Sequence, residues 1–394
     1  MESKCPACLQ NTIMIDYTVL YKDQLSVDSD WPSDVRWDIF ISAYTAAERV
    51  KAVYDKAFAT SKHWLVFPEY GFTAGAYPDG AFVSPIRDEA EYIRAFWDAS
   101  IGDVAGRSIC IDITGFIRPY LIFLLRWLAE RHVARFDALY TEPAIYSKRE
   151  QTRFSDEVVV EVRQIAGYEG THSSDTSNDY LIIGAGYDHQ LIAQVAENKE
   201  FSKKIQIFGL PSLRADMYQE NVLRAYRAEE AVGRHTTDES SSYFAPANDP
   251  FVTATTLREI VTRINARKPI TNLYLSPLAT KPQVLGFAVY YLTEHRNTTT
   301  SLIFPFCEAY EQETTAGLTR IWKYTVVAGS LILGSRCRRL WAFGTPAYRA
   351  GVKVPERPLA DSTVDFRARC GNSHIRHVFG CNASLAEGDN PAGI

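Results

Sequence analysis

Short continuous apolar segments recur along this chain, and stretches with helical apolar spacing separate them. "RWDIFISAY" is the first, and "TAAERVKAVYDKAFA" follows it with Val50, Val53, Tyr54 and Phe58 on one helical face. "KHWLVFPEY", "SICIDIT" and "RFDALYTEP" read as further strands, with helices expected over 88–101 and 118–131. Strands that are apolar on both faces, alternating with helices, form βαβ units whose parallel sheet is covered on both sides. The rhythm breaks at 146–178, where "DEVVVEVRQIAGYEG" reads as strand and turn and "THSSDTSND" as a polar loop. It then resumes with "DYLIIGAG", a helix over 188–199, "KKIQIFGL" and a long helix over about 214–232. "GRHTTDESS" reads as an exposed loop, and "SYFAPANDP", helix 253–266, "ITNLYLSP", helix 282–295 and "SLIFPF" complete the series.

The pattern predicts an α/β protein of parallel-sheet, Rossmann-like units in two pseudo-symmetric halves, 36–145 and 176–327, joined by an irregular bridge, 146–175. A length of 394 residues agrees with about two such units. Residues 1–35, rich in Asp and Ser, read as a lead-in. Residues 328–394 read as a basic tail with no assigned structure, carrying nine Lys and Arg against five Asp and Glu. An apolar fraction of 46% with 12% aromatic residues fits a well-buried globular chain.

No apolar run reaches the ~18–20 residues that span a bilayer. The longest, near 119–128, is cut by Arg126 and reads as a buried helix. No basic segment followed by an apolar one opens the chain, so the expectation is a cytoplasmic protein without membrane contact. The net charge of −5 argues against an extended nucleic-acid surface.

Seven cysteines in such a chain read mostly as reduced thiols. Cys5 and Cys8 make half a zinc knuckle. Cys370, His374, His377 and Cys381 supply four ligand types in a spacing outside the common zinc patterns. Unrelated thiols and surface histidines explain them more simply, and neither metal nor cofactor is expected.

One design occurs twice. In "CIDITGFIRPYLIFLL" and in "LYLSPLATKPQVLGFAVYYL" an apolar strand ends, a short loop follows, and a cation with a proline opens an apolar helix. The pairs are Arg118-Pro119 and Lys281-Pro282. Proline suits the first helical turn, where its missing N–H costs nothing. The free N–H groups and the helix dipole there attract anions. Arg118 and Lys281 add full charge, Gly115 permits close backbone approach, and Thr114, Ser276 and Thr280 offer hydroxyls. Loops after the carboxyl ends of parallel strands are where such sheets bind ligands. Proline at a helix start and glycine in a βα loop also serve purely structural ends, and the repetition is what favours an anion site.

"IDITGFIRPYLIFLL" resembles the Thr-Gly junction of the CRISPR-associated Rossmann-fold (CARF) ligand sensors, which bind oligonucleotide second messengers in prokaryotic antiviral defence. The likeness covers about 30 residues, or about 60 with the second junction. It departs from that pattern in its single glycine, in Phe116 at the second small position, and in placing Arg118 one or two positions late. The resemblance implies a sensor for a nucleotide-like or other anionic small molecule, working with other defence-system proteins. It implies Thr114, Gly115 and Arg118 as ligand contacts, with Thr280 and Lys281 as counterparts.

In "LIIGAGYDHQL", Gly184 and Gly186 fit G-x-G after a strand, and the loop could pass close to a ligand. His189 holds the third glycine position and no acid ends the next strand, so a nicotinamide cofactor is not expected. Four acids fall just after expected strands: Glu69, Glu142, Asp249 and Glu308. Such carboxylates could hydrolyse a nucleotide or NAD by stabilising an oxocarbenium-like state. "DIFISAY…ERV" is similar to the opening strand of TIR domains, some of which cleave NAD. Strand-end acids also cap helices or pair with arginines. His172 and Asp175 in the polar loop form a further possible pair. A third reading is a scaffold subunit whose apolar helices meet a partner.

Overall fold

Segments such as Ile39-Phe40-Ile41 are apolar at every position, and each of the three side chains is fully buried. A strand of that kind needs a cover on both faces. In the computed structural model, which describes residues 17, 20–146, 159–186, 188–214, 241–296, 298–312 and 315–327, the cover is present. Ile39, Ile41, Ile109 and Ile111 pack beneath helices α2 (Glu89–Ser100) and α3 (Arg118–Glu130). Phe40, Cys110 and Leu139 face the other way and meet Val53 of α1 (Glu48–Lys56).

The first sheet is built on five parallel strands. They are β2 (Trp37–Ala43), β3 (Ala59–Val66), β4 (Phe82–Val83), β5 (Ile109–Asp112) and β6 (Arg135–Glu142). Their spatial order is β4-β3-β2-β5-β6. The second sheet repeats that order. Its strands β9 (Tyr180–Ala185), β10 (Lys203–Gly209), β11 (Ser242–Ala245), β12 (Leu273–Pro277) and β13 (Thr300–Cys307) lie as β11-β10-β9-β12-β13, all parallel. Helix α4 (His189–Asn198) follows β9, α5 (Pro250–Arg267) precedes β12, and α6 (Lys281–Tyr290) follows it. Counted from the first strand of each half, both orders are 3-2-1-4-5, the doubly wound arrangement. The fold is therefore α/β with two Rossmann-like halves. The strands that end at the two junctions, β5 and β12, are central and parallel in their sheets.

Each sheet is completed by a strand from beyond the expected half. β8 (Val159–Gln164), within the bridge 146–175, lies antiparallel beside β13 of the second sheet. β15 (Arg320–Val327), which follows β13 in sequence, lies antiparallel beside β6 of the first. The second sheet thus takes its sixth strand from the bridge, and the first takes its own from the end of the second half. β7 (Ile145–Tyr146) and β14 (Thr315–Ala316) pair antiparallel with each other. The lead-in 1–35 also holds a strand, β1 (Tyr21–Leu25), antiparallel to β15. Its sequence YKDQL buries Leu25 alone, which is why it carries little apolar signal.

The helix expected over 282–295 is α6 continued by a π-helical turn, Tyr291–His295. There the Thr293 hydroxyl bonds the Val289 and Tyr290 carbonyls at 2.9 and 3.0 Å. The apolar stretch near 119–128 is α3, a buried helix, and no described helix is long and apolar enough to cross a membrane. The expectations for the helix over about 214–232 after Arg214, for "GRHTTDESS" before Ser241, and for the tail 328–394 lie outside the described residues. So do Cys5, Cys8, Cys370, His374, His377 and Cys381.

Candidate functional site

Both sheets aim the carboxyl ends of their parallel strands at one cavity. Thr45 after β2, Thr114 and Arg118 after β5, Gly186 after β9, Ala247 after β11 and Lys281 after β12 all line it. Helices α1, α3 and α6 begin there, so three sets of free N–H groups face the same space.

The two junction cations meet across the seam. Arg118 Nε donates to the carbonyl of Ala279, in the second junction, at 3.0 Å. Lys281 Nζ donates to the carbonyl of Phe116, in the first. Each cation thus opens its own helix and bonds the loop of the other half. A third cation, Arg49 on the first turn of α1, donates to Thr315 Oγ1 at 3.0 Å and to the Thr141 carbonyl. Among the described residues, none of the three forms an ion pair with a carboxylate. Burial lowers the Lys281 ammonium well below the usual lysine range, and Arg118 and Arg49 push it the same way. Burial also lowers Arg118. Burial desolvates Arg118 and Lys281, Arg49 is half-buried, and the three cations face one carboxylate on the described lining, Glu311, so the site carries an excess of positive charge that favours an incoming anion.

The other residues singled out in the sequence divide between lining and support. Thr114 lines the cavity, but its Oγ1 accepts from the Thr141 N–H at 3.1 Å. Its own N–H donates to Asp112, whose carboxyl burial pushes up. Thr280 also lines the cavity and caps α6, while its hydroxyl donates to the Ala247 carbonyl. Gly115 and Gly186 are demanded by close approach: a Cβ would sit 2.1 Å from the Ala43 carbonyl oxygen in one case and from that of Leu278 in the other. Gly184 makes room for the Phe287 ring and is a packing residue. Ser276 is fully buried within β12, its hydroxyl without a partner, and does not line the cavity.

The strand-end acids have other partners. Asp249 caps α5, accepting from the Phe251 and Val252 N–H groups at 3.0 and 3.1 Å, and pairs with Lys22 at 3.2 Å. Glu142 is buried and takes bonds from Asn248, Trp322 and Arg320 at 3.0, 2.7 and 3.2 Å. Glu308 has an exposed side chain, and its backbone carbonyl accepts from Arg87. Glu69 is buried on a short 3₁₀ turn after β3: one carboxylate oxygen accepts from Tyr120 at 2.7 Å and the other has no partner. Burial raises its pKa. None of the four lines the cavity. His172 stacks on Tyr274, and Asp175 accepts from the Ser177 N–H, so the two are separately engaged.

Arg49, Tyr70, Tyr310 and Gln312 line the cavity without having stood out in the sequence. Position alone could have found them, since each closely follows a strand ending at the site. No protein-family model and no curated protein matches this sequence.

Proposed function

We propose that this cavity binds an anionic, nucleotide-like small molecule and that the protein acts as a sensor for it. The observation that carries the proposal is the convergence of Arg49, Arg118 and Lys281, from both halves, with no carboxylate among the described residues ion-paired to them. Three helix N-termini at the same place add to the attraction. The resemblance of the first junction to CARF sensors extends the proposal to a role in prokaryotic antiviral defence. Such a sensor would work in the cytoplasm, where a buried thiol such as that of Cys110 stays reduced.

Arg118 and Lys281 are bound to backbone carbonyls across the seam, so a phosphate would exchange those bonds for charge-assisted ones. Occupancy would thereby bear on how the two junctions hold each other. The hydrolase alternative has one supporting observation, the buried Glu69 with its raised pKa, and Glu69 does not line the cavity.

A melting screen of the full chain against mononucleotides, linear and cyclic oligonucleotides and NAD tests these readings, with chromatography of each mixture. Stabilisation without new products supports the sensor. Product formation supports the hydrolase. Neither would leave the scaffold reading and end the proposal.

A further inference from the structure

Nearly all the polar side chains that line the cavity are held by protein partners. Thr114 is held by Thr141, Thr280 by Ala247, and the three cations by carbonyls and hydroxyls. Tyr310 is different. The residue lines the cavity, yet its hydroxyl is buried and has no oxygen or nitrogen partner. The group beside it is the Cys307 thiol, a poor substitute for an oxygen or nitrogen partner. A buried hydroxyl left with only a thiol for company loses its water with little compensation, and such groups in a cleft call for an explanation.

Two further observations give the hydroxyl a direction. Tyr70 and Tyr310 both act electrostatically on the Arg118 guanidinium, but the Tyr70 hydroxyl is spent on the Gly115 carbonyl at 2.8 Å. The Tyr310 hydroxyl is the phenol left over beside that cation. The loop that carries it is also clamped. Tyr310 N–H donates to the Glu69 carbonyl at 3.0 Å, Gln312 Nε2 to the Tyr70 carbonyl at 2.6 Å, and Ala46 N–H to the Gln312 carbonyl at 3.2 Å. A loop of the second half is thus fastened to the first, which holds the phenol at a set position.

Resting on the anion-binding reading above, we infer that the Tyr310 hydroxyl is a ligand contact, donating its proton to the phosphate oxygen that Arg118 neutralises. Burial and the nearby thiol raise the phenol far above neutral range, so it stays protonated and can donate.

Tyr310→Phe keeps the ring and removes only the hydroxyl. Calorimetric titration of the full chain with inorganic pyrophosphate and with adenosine 5′-monophosphate, beside thermal melting without ligand, reads the result. The variant should melt within a degree or so of the wild type, because it deletes a hydroxyl with no oxygen or nitrogen partner, and should bind both compounds about 10- to 100-fold more weakly. Unchanged affinity for both compounds overturns the inference, and if Lys281→Ala still weakens binding the anion site itself stands. Loss confined to adenosine 5′-monophosphate shows that the hydroxyl reads the nucleoside and overturns the phosphate assignment. A lower melting point with unchanged affinity shows a structural role and overturns it too. If the wild type binds neither compound, the anion site and this inference fall together.

Discussion

The first half supports its junction with side chains, and the second does so with backbone and a cap. After β5, Asp112 accepts from Ser42 and from the Thr114 N–H, and Thr114 bonds Thr141. Near the end of β12 the polar side chain is Ser276, whose hydroxyl has no partner. Helix α3 starts without a capping side chain, whereas Thr280 caps α6. Even the tight contact between neighbouring strand ends is made with opposite partners. Its glycine comes from the fourth-strand loop in the first half, Gly115, and from the first-strand loop in the second, Gly186. What the halves share is narrower: strand order, a cation followed by proline, and a bond from that cation to the other half. Two different local solutions that each keep a cation at the first turn of the helix indicate that positive charge there is the constrained feature.

The glycines offer the harshest way to break this comparison. Ala at 115 or 186 would drive a methyl into a backbone oxygen that cannot swing aside. Each substitution should cost at least about 3 kcal/mol, read as a lower urea midpoint. Similar penalties would show that the contact is equivalent in both halves. If either variant is as stable as the wild type, the strand ends are not packed as described.

Acid should separate the halves. Burial holds His295, which bonds Tyr290 and Thr300, down to about 4. An unfolded histidine takes its proton near 6.5, so between those values the unfolded chain binds more protons than the fold. Stability from this group is therefore lost as pH falls from about 6.5 towards 4, by about 2–3 kcal/mol. In the first half, Glu69 and Asp112 are pushed upward by burial, so the fold takes up their protons first and gains stability as pH falls. Hydrogen exchange near pH 5 should show α6 and β13 losing protection before β5 and α3. Loss that begins in the first half, or that persists in His295→Gln, would refute this.

Much of this architecture was legible in the sequence because its central strands are apolar on both faces and have no alternative to a covered parallel sheet. The placing of the sixth strands was not. β8 (VVEVRQ) and β15 (RIWKYTVV) mix polar and apolar residues, and such a pattern suits a sheet edge without naming which sheet. The two junctions were legible because cation and proline sit together at a helix start. Arg49 was hidden in an ordinary amphipathic helix, and Tyr310 looked like one aromatic among 22 tyrosines. The strand-end acids stood out as candidate catalytic groups, but none lines the cavity, and Asp249 and Glu142 are occupied by a cap and a bonded cluster that only the three-dimensional arrangement reveals.

Ligand titration compares the halves more gently. Arg118→Ala and Lys281→Ala should each weaken anion binding about 10- to 150-fold, the worth of one charge-assisted contact. Comparable losses would mean that the halves contribute alike, and unchanged affinity in both would end the two-junction site. Affinity should also fall as pH rises through the lowered Lys281 value, because the neutral amine no longer attracts an anion. Lys281→Arg, which stays charged, should move that fall to higher pH.

The smallest expected effect concerns the cap that only the second half has. Thr280 accepts weakly from the Gln283 N–H, at 3.5 Å, and donates to the Ala247 carbonyl. Thr280→Val keeps the shape and removes both bonds. Loss of a helix cap costs about 1 kcal/mol, and an additional unpaired carbonyl at Ala247 raises that slightly. The helix would still begin at Lys281, because Pro282 and the buried face of α6 hold it there. Anion affinity should therefore change less than in Lys281→Ala, even though the two residues are adjacent. If Thr280→Val instead abolishes binding while melting normally, the hydroxyl itself contacts the ligand. The halves would then differ in chemistry as well as in support, since Thr114 holds its own hydroxyl against Thr141.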